Sequence, residues 1–225
     1  MSSSPVAAIP SATVVPLRDG PDGLEVLMIE RAAAIAYGGM WAFPGGRVDP
    51  LDADPDAPGD EVASARRTAV REAEEEVGLR FPADVLVPYS HWTGGARQRG
   101  LYAAWYFLAP APDGDVVLDG TECQAHRWLR PTDALAGRDR GEIAVVAPTW
   151  MTLQSLAGAA SVADALADAA RRPPIVYRSR VAEVGDDHRI VLWHGDAGYD
   201  AGDPAVEGSR HRLVMRAERW SFERS

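Results

Sequence analysis

The chain has 225 residues, 24.2 kDa and 46% hydrophobic residues, enough for one well-buried core and short for two. Its formal net charge is -10 and its basic complement is arginine alone, which argues against a grip on nucleic acid polymers or anionic membranes but leaves room for a small phosphorylated ligand. Cys123 is the only cysteine, so no intrachain disulfide framework or multi-cysteine zinc site is available, as suits a reducing cytoplasm.

Residues 1–10, rich in Ser, Pro and Ala, read as a loose leader ahead of a single domain over 11–225. The opening "MSSSPVAAIPSATVV" has no basic segment before a long apolar run, and no later stretch approaches the roughly 20 apolar residues of a membrane span. A cytoplasmic protein is expected. "ATVVPLRDGPDGLEVLMIER" holds two β-prone runs around a Pro and Gly turn, a hairpin ending near Arg31. "YGGMWAFPGGRVDP" then reads as a loop, followed by an acidic exposed insertion near residues 50–60.

From about Asp60 to Val77 the spacing predicts a helix, with Asp60 as N-cap, Val62, Ala65, Ala69, Ala73 and Val77 on its apolar side, and Gly78 as its stop. "DVLVPYSHW" and "GLYAAWYFLAP" are strand candidates. "VVLDGTECQAHRWLRPTDAL" leads through Trp128 to a short helix capped near Thr132 or Asp133. One or two helices follow and stop at paired prolines, and three closing strands lie in "IVYRSRVAEV", "HRIVLWHGD" and "HRLVMRAERWSF". The mixture is that of an α/β or α+β sandwich with a mixed sheet.

The helix carries "REAEEEVGL". At about 100° per residue, Glu72, Glu75 and Glu76 share an arc of roughly 100°, while Glu74 points away. Three carboxylates held together raise one another's pKa unless a cation compensates, and Mg²⁺ or Mn²⁺ suits several hard oxygens. A solvated acidic face is the plainer reading of such a run.

Arg71, four residues before Glu75, and the glycines of "FPGG" upstream favour a site. Here the chain resembles the Nudix hydrolase family, whose box is G-x5-E-x7-R-E-U-x-E-E-x-G-U with U aliphatic. The second half matches in full at Arg71, Glu72, Ala73, Glu75, Glu76, Gly78 and Leu79. The first half does not. If Gly46 opens the box, Arg71 lies 71 − 46 = 25 residues on, where the pattern wants 6 + 8 = 14, so 11 residues are inserted. Counting back eight from Arg71 finds Ala63 where the first glutamate belongs, leaving Asp60, Glu61 or a vacancy.

The resemblance implies an α/β/α sandwich in which a loop-helix-loop holds divalent cations against a diphosphate, and water cleaves a nucleoside diphosphate linked to another group. By position, Glu72, Glu75, Glu76 and the carbonyl of Gly45 would be metal ligands, and Arg71 would orient a glutamate. Several members place a further glutamate six residues before a tryptophan, the spacing of Glu122 and Trp128 here, so Glu122 and Glu75 are rival general bases. Arg31 is a candidate phosphate ligand or a surface ion pair, and Arg97 and Arg99 are phosphate ligands or loop charges. Trp92 would stack on a base or pack a core.

The rest of the chain looks like the coenzyme A diphosphatase branch in "GMWAFPGGRVDP", "SHWTGG" and "LWHGDAGY". No arginine follows Arg31 in "AAAIAYGG", however, where that branch expects one. ADP-ribose, NADH and nucleoside triphosphates stay open as substrates, as does a non-catalytic nucleotide sensor. The closing strands could complete the sheet, form a homodimer or serve as a lid.

Overall fold

In a computed structural model, residues 8–34, 37–53, 57, 59–94, 102–185 and 188–225 are described. The runs around "DGPDG" form β1 (Ile9–Gly20) and β2 (Gly23–Arg31), antiparallel, with Leu17 opposite Val26 and Gly20 opposite Gly23, so that Pro21 and Asp22 make the turn. The expected loop that follows contains two short strands, β3 (Trp41–Ala42) and β4 (Gly45–Arg47). Next come a 3-10 turn at Pro50–Asp52, α1 (Glu61–Val77), β5 (Val87–Gly94), β6 (Tyr102–Pro110) and β7 (Cys123–Leu129).

Three helices follow, α2 (Pro131–Asp139), α3 (Ala147–Leu156) and α4 (Val162–Ala170). The cap of α2 is Arg130, not Thr132 or Asp133, because Pro131 presets helical φ and takes the first position. The chain closes with β8 (Ile175–Glu183), β9 (His188–Leu192), β10 (His211–Arg216) and β11 (Trp220–Arg224). The run expected as a third closing strand is a hairpin, with Met215 opposite Trp220. Among the described residues, no helix is long and apolar enough to cross a membrane.

The chain gathers into two units, one of Pro10–Ser90 with Ala104–Ile175 and one of Val176–Ser225 with His91–Ala103 and the residues before Pro10. The fold is mixed α/β with a large mixed sheet. In the first unit the strands run in the order β6, β1, β2, β3, with β4 on β1 and β7 on β2. Successive residues such as Val14 and Val15, Leu27 and Met28, and Phe107 and Leu108 are all buried, the mark of a sheet covered on both faces. Helix α1 lays Ala65, Ala69, Ala73 and Val77 against Ala12 and Val14 of β1, Leu27 and Ile29 of β2, and Phe107 of β6. Alanines on the helix face permit close approach to the sheet, which brings the polar side chains next to them down to the strand ends.

In the second unit β9 lies between β8 and β10, antiparallel to both, and β10 pairs β11. Trp92 stacks on Tyr177 at 3.9 Å and meets the fully buried Trp193 edge-on. Between β9 and β10 the Asp196 carboxylate, wholly buried, accepts from Arg212 Nε at 2.7 Å and Nη2 at 2.6 Å and from the Gly198 and His211 amides. Burial opposes ionisation of Asp196, but these donors outweigh it and hold its carboxyl below the usual range. Asp196→Ala strands a buried guanidinium and should cost about 3–5 kcal/mol in urea unfolding. Because the folded-state pKa is depressed, the advantage of wild type over Asp196→Asn is complete above about pH 4 and shrinks as the pH falls further, which urea midpoints measured against pH will show.

Candidate active site

Helix α1 begins where Asp60 Oδ1 accepts from the Ala63 amide at 2.9 Å and ends at Gly78, whose φ of 70° is a left-handed stop that favours glycine. Asp60 is therefore a cap, and Glu61 accepts from the Trp105 indole at 3.2 Å. Neither meets Arg71. The partner of Arg71 is Asp52, which accepts from Nε at 3.1 Å and Nη2 at 2.9 Å. Asp52 also accepts from the Thr68 hydroxyl and the Asp49 amide, and is 6% exposed although the segment around it was expected to be an exposed insertion.

Burial alone would raise the Asp52 carboxyl, but Arg71, Asp49 and Thr68 together hold it below its ordinary value, while the same pairing raises Arg71. Counting forward from Gly46 explains the position: 52 − 46 = 6, the place of the first box glutamate, filled here by aspartate with the inserted residues after it. The place is neither vacant nor taken from the helix start.

On the side of α1 nearest the glycine loop, Glu76 is 3% exposed and its Oε2 accepts from the Gly45 amide at 2.8 Å. Its Oε1 is buried without a hydrogen-bond partner, 3.8 Å from Arg31 Nη1. Glu72 lies against Gly46, where any Cβ would collide with its carboxylate, so only glycine permits this approach. Arg71 Nη1 reaches Glu72 at 2.9 Å and Glu75 at 2.8 Å. Glu75 is drawn to the rim, more than half exposed, and lines an open depression of about 460 Å³ with Arg67, Val70, Arg71, Glu74 and Ala83. Glu74 is exposed and pairs with Arg80.

Burial pushes the Glu76 carboxyl up to about 8, against the Gly45 amide and Arg31, with the charges of Glu72 and Glu122 adding to the rise. Burial likewise raises Glu72 despite Arg71, and Glu75 and Glu122 add to it. Glu122, exposed just before β7, is thus near enough for its charge to act on both helix glutamates. Its backbone carbonyl accepts from the Ala32 amide at 2.8 Å, next to Arg31 at the end of β2.

The structure brings together Glu72, Glu76, Gly45, Arg31 and Glu122, with Arg71 and Glu75 at the rim. Arg97 and Arg99 lie outside the described residues. Trp92 packs in an aromatic core at 5% exposure, with a face taken by Tyr177, so of its two candidate roles, substrate-base stacking and core packing, it fills the second. Among the described residues no group of three or more His, Cys, Asp or Glu side chains forms a ready-made metal cage. A divalent cation nonetheless fits the donors present, since Glu76 Oε1 is a buried carboxylate oxygen with no hydrogen-bond partner, and Glu72 and Glu76 stay raised by burial and by neighbouring carboxylates in spite of Arg71 and Arg31.

The NUDIX domain profile matches residues 8–150. The chain belongs to the NUDIX family. A curated relative, the CTP pyrophosphohydrolase of Escherichia coli strain K12, is 32% identical over 118 residues, 52% of this chain and 73% of the relative. Among solved structures, a NUDIX hydrolase from Alicyclobacillus acidocaldarius matches with a TM-score of 0.65 at 23% identity, covering 73% of this chain and 97% of that one. The NUDIX domain of Shewanella oneidensis NrtR, complexed with ADP ribose, matches with a TM-score of 0.52 at 17% identity, over 66% and 85% of the two chains. This NUDIX chain is a hydrolase of nucleoside diphosphate derivatives.

Asp52→Ala leaves the Arg71 guanidinium without its bidentate partner, and should cost about 1–3 kcal/mol in urea unfolding and lower turnover. Asp60→Ala should cost only the cap, about 0.5–2 kcal/mol, and leave turnover unchanged.

Proposed function

We propose that the chain cleaves the phosphoanhydride of its nucleotide substrate with Mg²⁺ or Mn²⁺ held by Glu72 and Glu76, with Glu75 and the Gly45 carbonyl completing the donor set. The supporting observation is the Oε1 of Glu76, buried without a hydrogen-bond partner, on a carboxyl that burial and the charges of Glu72 and Glu122 raise. When bound, the cation screens the anhydride and acidifies a water.

The protein's own groups do the rest. Arg31, next to Glu76, binds a phosphate oxygen of the substrate. Arg71, fixed by Asp52, holds Glu72 and Glu75 in place. Glu122 takes the proton of the attacking water as its oxygen bonds to phosphorus and the bridging P–O bond breaks, expelling a phosphate. Glu75, held at the rim by Arg71 and counted among the donors to the cation, is the weaker base candidate.

For the substrate, sequence features point to coenzyme A or its thioesters, while the name of the curated relative points to CTP. The absence of an arginine in "AAAIAYGG" counts against the coenzyme A 3'-phosphate. We therefore place nucleoside triphosphates first, followed by coenzyme A, ADP-ribose and NADH.

A panel of CTP, dNTPs, coenzyme A, acetyl-coenzyme A, ADP-ribose and NADH with Mg²⁺, read by mass spectrometry of products, tests this. Cleavage of at least one member is expected, with Glu76→Gln losing at least about a hundredfold in turnover and Glu74→Ala retaining it. Turnover that survives in Glu76→Gln but falls in Glu74→Ala would reject the site.

A further inference from the structure

The segment that carries Glu122 is organised around one carboxylate. Asp119 Oδ2 accepts from the Glu122 amide at 2.8 Å, from the Thr121 amide at 3.2 Å and from the Thr121 hydroxyl, and Oδ1 accepts from the Cys123 amide at 3.0 Å. Gly120, at φ 73°, lets the backbone wrap round its neighbour. The amide of Asp119 donates to the carbonyl of Glu76 at 3.2 Å, and two residues earlier the Val117 amide donates to the Val77 carbonyl at 3.0 Å. The segment is therefore tied to the last turn of α1, the turn that carries Glu76. On its other side the Glu122 carbonyl accepts from the Ala32 amide, beside Arg31.

From these contacts we infer that Asp119 is a positioning residue for catalysis, holding Glu122 in register with the carboxylates of α1 and with Arg31. The inference rests on the reading of Glu122 as general base. With its amide held by Asp119 and its carbonyl by Ala32, the backbone of Glu122 is fixed from both sides, and only side-chain torsions separate its carboxylate from the reacting water. A base must sit within hydrogen-bond reach of the proton it takes, and a displacement of about 1 Å costs up to about a hundredfold in rate. Asp119 touches neither substrate nor water in this account. Four donors converge on its side chain, so its removal frees three successive amides at once and releases the base-bearing residue from α1.

A mere loop brace would also be damaged by this loss, and a double-mutant cycle separates the two roles. The substrate is whichever of CTP, coenzyme A and ADP-ribose the wild-type enzyme cleaves fastest with Mg²⁺. Asp119→Ala is expected to lower kcat about 10–100-fold with KM nearly unchanged, and Asp119→Asn, which keeps one acceptor oxygen, to recover part of the loss. In a Glu122→Gln background the same Asp119→Ala change should cost less than about threefold, because the group it positions is already gone. Thermal unfolding of each variant monitors the fold, and Asp119→Asn carries the cycle if Asp119→Ala does not fold. Losses that multiply across the cycle, with Glu122→Gln itself impaired, overturn the positioning role and leave the base assignment standing. A Glu122→Gln enzyme with wild-type kcat overturns both.

Discussion

The hydrogen bond from the Gly45 amide to the Glu76 carboxylate joins the glycine loop to the last turn of α1, and the proposed site is built around it. Glu76 reaches that position because the alanine face of α1 sits close on the sheet, carrying a carboxylate to where only 3% of the residue is exposed. A buried carboxylate with one oxygen satisfied and the other unused is a poor stabilising element in itself. Its cost is borne by the apolar contact of Ala65, Ala69, Ala73 and Val77 with the sheet. Arg71 does the complementary work about one turn earlier, tethering the helix to Asp52 and holding Glu72 and, at the rim, Glu75.

Much of this was legible in the sequence. The hairpin into Arg31, the helix from Asp60 to Gly78 and the inward facing of Glu72 and Glu76 follow from periodicity, capping and helical phase. Phase alone placed Glu75 with them, but a side chain also goes where its ion pair takes it, and Arg71 draws Glu75 outward. Asp52 is hidden in the sequence for a different reason. Counting back from Arg71 crosses the insertion and lands on Ala63, whereas the aspartate sits before the insertion at the box spacing from Gly46. Its burial comes from Arg71 and Thr68, both distant in sequence, so the acidic composition around it suggested an exposed loop. Trp92 was ambiguous for the same kind of reason, since its partner Tyr177 lies on a strand far along the chain.

The residues from Val176 onward lie outside the stretch matched by the family, and they have a core and an internal tether of their own. Asp196 and Arg212 pin the long connection between β9 and β10, with the Gly198 and His211 amides completing the carboxylate. Short runs of β-prone residues such as "IVLW" and "LVM" mark these strands in the sequence, but the ion pair is invisible there because both partners look like ordinary surface charges. Three closing runs became four strands because "RAER" turns the chain between Met215 and Trp220.

As proposed, α1 presents Glu72 and Glu76 as a divalent-cation site that Glu74 does not share. Electron paramagnetic resonance of Mn²⁺ titrated into the protein without nucleotide measures this directly. Saturable binding with the same affinity is expected for wild type and Glu74→Gln, and affinity at least about tenfold weaker for Glu72→Gln and Glu76→Gln. Equal Mn²⁺ affinity in all four proteins, or a loss confined to Glu74→Gln, would contradict it.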